Sequence, residues 1–294
     1  PPPPPPTPHP PTTENYTFIA SSAASDVYKR QTDDRRTGRD GQHVEHRGNR
    51  GTWPVWVLRP SRHRREVDAV VSGASSRTRS ALVVVVTVGA IANVVGNLVL
   101  PSAWYVPANL ALAATVVAIA AWGGATRSDL GLDRHDAPRG LAVGALAALA
   151  VGAVIAVAIA VPAMRSFFES DLVDDAGTAE RWYDVLVRVP LGTAVYEELL
   201  FRSALFGLLL RVRGTRAAVV WSTALFGVWH IVPAWETADA GGWALAGTIV
   251  GTVLVTAVGG LLFAWLRLRS DSVVAPILGH TATNSFAYVA AWIV

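Results

Sequence analysis

Tyr196-Glu197-Glu198-Leu199-Leu200-Phe201-Arg202 lies inside an apolar stretch that runs from about Val185 to Leu210. An ionisable side chain at the centre of a membrane helix costs ~2.5–3.5 kcal/mol on insertion scales, so two adjacent carboxylates and an arginine need a reason to be there. Glu198 and Arg202 stand four positions apart, share a helix face and neutralise each other. Glu197 points about 100° away from that pair. It needs another partner, or it is there for chemistry.

The rest of the chain sets this stretch in a membrane. Hydrophobic residues make up 51% of the 294 and charged residues 16%, a balance that argues against a soluble globule of this length. Apolar segments of spanning length follow one another at about 80–100, 102–122, 141–163, 183–210, 216–235, 242–266 and 272–294. Each is close to the ~20 residues that cross a ~30 Å hydrocarbon core. Backbone groups in lipid must be bonded within the segment, so these are helices. The expected fold is an all-α polytopic bundle of about seven spans, with Gly247 and Gly251 offering a G-x-x-x-G face in the sixth.

The N-terminal part reads differently. Pro1 to Pro6 is low in complexity, and Ser21 to Gln31 resembles the in-frame translation of a sequencing-library transposon adapter, with the matching primer at Thr12 to Tyr16. Residues 32–75 are rich in Arg and Asp and lack periodicity, as a disordered tail or translated upstream DNA would. The expected division is therefore a non-native or disordered segment over 1–79 and a membrane domain over 80–294, with no secretory signal at the start.

Charge gives the expected orientation. Arg77 and Arg79, then Arg127, Arg134 and Arg139, then Arg211, Arg213 and Arg216, then Arg267 and Arg269 fall on alternate connections. The positive-inside rule puts these in the cytoplasm, with the N-terminus inside and the C-terminus outside a plasma membrane. The net charge of +3 comes from arginine, Lys29 being the one lysine, and carries no indication of a nucleic-acid partner. Cysteine is absent, which removes disulfides, thiolate metal ligands and a cysteine nucleophile.

Within the spans, three polar constellations have helical spacing. They are Glu197-Glu198-x-x-x-Arg202, Phe226-Gly-Val-Trp-His230 and Pro276-x-x-x-His280-x-x-x-Asn284. A lone intramembrane histidine is usually a hydrogen-bonded core residue, whereas two histidines, an asparagine and a carboxylate pair on separate helices can converge on one wet cavity. Arg188 lies near an end of its span, where it can snorkel. Ser285 and Thr283 are expected to bond to the preceding turn.

In order and approximate spacing these motifs resemble those of the CAAX-protease and bacteriocin-processing (CPBP, or Abi) family of intramembrane proteases, whose pattern is E-E-x-x-x-R, F-x-x-x-H and H-x-x-x-N. The resemblance is carried by about 180–290 and implies peptide hydrolysis of a membrane-associated protein or peptide by what looks like a prokaryotic enzyme. It implies a site of Glu197, Glu198, Arg202, His230, His280 and Asn284. Glu197 serves as general base, His230 holds the water, and His280 and Asn284 face the oxyanion. Glu198 and Arg202 hold the helix and orient Glu197. Glu197, His230 and His280 are also a reasonable zinc set, so the family's chemistry is open to one divalent metal or to a metal-free glutamate mechanism.

Other hydrolytic schemes lack their residues. His230 is followed by Ile231-Val232, so there is no H-E-x-x-H, no span carries an Asp pair, and Ser203, Ser222 and Ser285 lack a G-x-S-x-G context. The competing class is a transporter or immunity protein whose cluster binds an ion or a proton, although the internal repeats usual in transporters are not evident.

Overall fold

The structure is a computed structural model that describes residues 75–168, 177–236 and 241–294. Residues 1–74, and with them nearly all of the segment expected to be disordered or non-native, lie outside the described residues. The first helix starts at Ser76, where the Ser75 side chain caps it by accepting from the Thr78 N–H at 3.2 Å, so residues 76–79 belong to the bundle.

The described residues are helical and contain no strand. Helix α1 spans Ser76–Leu98, α2 Tyr105–Trp122 and α3 Ala137–Ala160, the last with Pro138 in its first turn, where the missing N–H costs nothing. Helix α4, Thr178–Tyr183, runs on through π-helical turns over Asp184–Val195, one α-turn α5 at Tyr196–Glu198, and further π-helical turns over Leu199–Leu205. Pro190 sits inside the first of these stretches. Its ring crowds the preceding turn and it has no N–H to donate, and a wider turn eases both. Helices α6 Phe206–Trp229, α7 Ile231–Glu236, α8 Gly242–Ser270 and α9 Val274–Ile293 complete the order.

By length and composition, five stretches can cross a membrane: Ser76–Leu98, Ser102–Trp122, Ala137–Ala160, Thr178–Glu236 and Gly242–Ser270. The expected fourth and fifth spans share the 59-residue stretch and part at Gly214 (φ 78°, ψ 179°), a backbone conformation that glycine adopts without strain. The expected seventh corresponds to α9 and is not among the five. Its run of His280, Thr281, Thr283, Asn284 and Ser285 lowers its mean hydropathy.

The chain from α4 to α6 is the hub. Leu200, Phe201, Leu205, Phe206 and Leu208 on it are buried against Ala81 and Val85 of α1, Val116 and Ala120 of α2, and Ala264 of α8. Val83, Leu146, Leu149, Val154 and Leu254 face outward, as lipid-facing residues do. Close helix approach occurs between α3 and α9. There a Cβ on Gly144 would come within 2.8 Å of Leu278 and one on Gly140 within 2.6 Å of Ser272. Nothing lies within 4 Å of a Cβ at Gly247, so the expected G-x-x-x-G face makes no close approach there.

The Arg-rich connections meet at one end of the bundle. Arg211 pairs with Asp129 at 2.9 Å and Arg139 with Asp271 at 3.5 Å. Arg267 donates to the carbonyls of Ser128 and Asp129, each at 3.0 Å, and to that of Arg202 at 3.3 Å. At the helix ends joined by the Arg-poor connections, Trp104, Trp182, Trp235 and Trp243 are exposed, as in an interfacial aromatic belt.

Candidate active site

Glu197 and Glu198 leave the hub in different directions, and the bundle treats them differently. Glu198 is completely buried, and its Oε1 accepts from Arg202 Nη1 at 3.1 Å. His280 Nδ1 of α9 reaches the same oxygen at 2.9 Å. Arg202, equally buried, also donates to the Gly260 carbonyl at 3.1 Å and lies over the Phe226 ring at 4.0 Å. A Cβ at Gly260 would come within 3.0 Å of both Arg202 and Phe226, so glycine is what lets α8 approach this close.

Glu197 has less support. Its Oε1 accepts from Trp229 Nε1 at 3.2 Å, and its buried Oε2 has no hydrogen-bond partner among the described residues. The nearest cationic or basic group to Oε2 is His280 Nε2 at 3.8 Å. Glu198 Oε2 and Arg202 Nε are unpartnered too, so what sets Glu197 apart is its one donor, a neutral indole where Glu198 has a guanidinium.

Phe226 organises the aromatic floor. Its ring meets Phe201 at 5.2 Å, His230 at 4.7 Å and His280 at 5.9 Å, each edge to face, while Phe263 stacks on His280 at 4.8 Å. His230 Nδ1 lies 2.7 Å from the Phe226 carbonyl, an acceptor, so Nδ1 carries the proton and Nε2 is free to accept. His280, with Nδ1–H directed at Glu198, presents Nε2 toward Glu197. In the neutral ring that atom is an acceptor, and it becomes a donor only in the imidazolium. The expected oxyanion role of His280 therefore requires the charged ring, whereas the Asn284 amide can donate in any state.

A cavity of about 290 Å³ brings these groups together, with Glu197, Phe226, His230, Phe263, His280 and Asn284 on its wall. Glu198 and Arg202 lie behind the wall rather than on it. Ile155, Phe168, Thr193, Thr256 and Ala287 extend the lining. Thr193, Thr256 and Ala287 lie on the Arg-poor side of the core groups along their own helices, and Ile155 and Phe168 lie near and beyond the Arg-poor end of α3, so the cavity extends toward that end.

Metal binding was expected of Glu197, His230 and His280. Among the described residues no three His, Asp or Glu side chains are grouped as the ligands of one ion. Both histidines commit Nδ1 elsewhere, leaving Nε2 of each and Glu197 Oε2 as the free donors.

Several supporting residues are not visible as motifs. The hydroxyl of Tyr105 on α2 lies 3.0 Å from that of Thr193, and Asn109 donates to the Gly192 carbonyl at 2.9 Å, fixing the turn that precedes Glu197. Arg188 does not snorkel freely. It pairs with buried Asp184 at 3.8 Å and lies over the Tyr105 ring at 4.9 Å. Thr283 bonds to the preceding turn at Gly279 as expected, but Ser285 reaches across to the Val185 carbonyl at 3.0 Å. Trp229 stands inside the quoted F-x-x-x-H stretch as a spacer, and its one visible signal is that it directly precedes His230.

A family model described as "Type II CAAX prenyl endopeptidase Rce1-like" matches residues 180–286. That interval holds all six expected site residues and leaves α1, α2 and α3 outside it. No curated protein and no solved structure matches the chain.

Proposed function

We propose that this chain, whose residues 180–286 belong to the CPBP family of membrane-embedded endopeptidases, hydrolyses a peptide bond with water that Glu197 activates. The observation that carries this reading is the Glu197 carboxylate. It stands on a cavity wall beside His230, His280 and Asn284, with one oxygen held by Trp229 and the other unpartnered. General base catalysis needs this combination of a fixed carboxylate and a spare lone pair.

Glu197 takes a proton from water while His230 Nε2 accepts the water's second hydrogen bond. The hydroxide adds to the scissile carbonyl carbon, and the carbonyl electron pair moves onto oxygen. The Asn284 amide, together with His280 when its ring is charged, donates to that oxyanion. Glu197 then returns the proton to the amide nitrogen, the C–N bond breaks, and a carboxylic acid and an amine form, the acid's proton passing to the amine so that they leave as carboxylate and ammonium. Glu198 and Arg202 touch none of the reacting atoms. They hold His280 and the Glu197 helix in register. No step is routed through a metal.

The family's description names prenylated CAAX substrates. For this chain the substrate class is a membrane-associated protein or peptide. A lining made largely of apolar side chains suits a substrate with an apolar flank. An internally quenched, prenylated CAAX peptide is therefore the first probe, backed by comparison of new protein N-termini in membranes carrying the parental chain or Glu197→Gln. Termini that appear with both would defeat the reading.

The Arg-rich end faces the cytoplasm of a prokaryotic cell in this proposal, so the cavity opens toward the external side. In a chain without cysteine, Ser102→Cys should react with an impermeant maleimide from outside and His135→Cys only after permeabilisation. The reverse pattern would invert the orientation.

A further inference from the structure

Helix α6 ends at Trp229, where His230 leaves helical geometry (φ −84°, ψ 3°). In a continuing helix the Trp229 carbonyl would accept from the residue four positions on. That residue is Pro233, which has no N–H. The acceptor freed in this way is taken by a side chain from another part of the chain, Asn93 Nδ2 of α1, at 3.1 Å. Asn93 is itself buried and lies outside the matched family segment.

Trp229 is thus fixed at its backbone by α1 and at its indole N–H by Glu197 Oε1, 3.2 Å away. Ring contacts add to this, with Tyr196 at 5.9 Å and Phe201 at 5.4 Å. Behind the indole lies an apolar cavity of about 320 Å³, bounded by Gly89, Asn93, Leu200, Phe201 and Trp229 among others. Packing therefore does not wholly enclose Trp229; the Asn93 bond holds its backbone and the Glu197 bond sets the direction of its indole.

We propose that Trp229 is a positioning residue for Glu197 and that Asn93 anchors it, so that α1 fixes the orientation of the catalytic carboxylate. The inference rests on Glu197 being the base. Trp229 keeps one carboxylate oxygen occupied and turns the other to the cavity. Because Trp229 adjoins His230, the Asn93 bond also fixes the start of the turn that carries this histidine to the water.

The full chain, labelled with ¹⁵N-indole tryptophan in lipid nanodiscs, tests the contact without a substrate. The signal lost in Trp229→Phe identifies the residue. It should move in Glu197→Gln by more than the other tryptophan signals, and it should shift or broaden in Asn93→Ala. With the prenylated CAAX peptide, Trp229→Phe should lower kcat about 10–100-fold with KM within about twofold, as misplacement of a reacting group does. Asn93→Ala should lower it about 2–10-fold, in line with loss of one neutral hydrogen bond. In the Glu197→Gln background Trp229→Phe should lower the residual rate no further, since the two act as one unit. A Trp229 signal unmoved by Glu197→Gln, or a parental kcat in Trp229→Phe, overturns the inference. Parental cleavage by Glu197→Gln overturns the base assignment instead, and the indole signal still reports whether the contact exists.

Discussion

The Arg-rich end and the mid-bundle cavity are both polar places in an apolar protein, yet they use their charges in opposite ways. At the Arg-rich end Asp129 Oδ2 accepts from the Thr126 N–H and hydroxyl, each at 2.8 Å, and from Arg211 at 2.9 Å. Arg267 spends its donors on three carbonyls from two other parts of the chain. At the cavity, Glu198 Oε1 accepts from both Arg202 and His280 while its Oε2 stays unpartnered behind the wall, and Glu197, one residue along, has a single neutral donor and an unpartnered oxygen on a side chain that lines the cavity. Burying a polar group without a partner costs free energy, and on a cavity wall such a group can still be satisfied by water or substrate, whereas behind the wall it cannot. The charged partner and the place on the cavity wall therefore distinguish the two carboxylates, which burial does not, because both are buried.

Breaking the buried ion pair should act on folding. Glu198→Gln leaves Arg202 and His280 facing a neutral amide inside the bundle, and loss of one partner of a buried ion pair costs ~3–5 kcal/mol. The expected result is a lower thermal transition and less folded protein in detergent, with the rate per folded molecule falling less than the yield. A parental transition would place Glu198 on the other side of the comparison.

Removing a group from the cavity wall should act on rate. Asn284→Ala should slow turnover by about 10²–10³-fold, the usual effect of losing one oxyanion donor, with the thermal transition little changed. Steady-state kinetics beside a melting curve on one preparation checks both halves.

The Arg-rich end sharpens the comparison from below. Arg267→Met should destabilise by ~1–3 kcal/mol, since buried carbonyls lose their donor. Turnover per folded molecule should stay parental. A selective loss of rate at unchanged stability would mean that this end is coupled to the chemistry.

Hydropathy carried the all-helical membrane fold, and helical spacing carried the local pairs of the candidate site. Glu198 with Arg202, and His280 with Asn284, are local pairs one helical turn apart, and such pairs can be read from spacing alone. The convergence of three helices on one cavity was legible because ionisable residues are rare in spans. What escaped notice is long-range or lacks a periodic signal. The π-helical turns over Asp184–Val195 and Leu199–Leu205 show no pattern that distinguishes them from an α-helix. Gly214 is one of 25 glycines, and only its positive φ marks it as the break between two segments. Close approach falls at Gly140 and Gly144 rather than at Gly247, because α9 packs on α3 while the Gly247 position of α8 meets nothing. Trp229 reaches Glu197 across 32 positions, and Asn93 reaches Trp229 across 136. Neither contact leaves a local trace in the chain.

The central claim is that Glu197 is the group that takes the proton, and one measurement reads it most directly. Parental chain and Glu197→Gln, purified side by side and matched for folded protein by their melting curves, are compared in proteoliposomes. The probe is the prenylated peptide, or a substrate identified from the new N-termini. The amide keeps the shape and the Trp229 contact but has no basic oxygen. The rate should fall by about 10²–10⁴-fold while the thermal transition stays within a few degrees of the parent. Cleavage at the parental rate by Glu197→Gln would contradict the account.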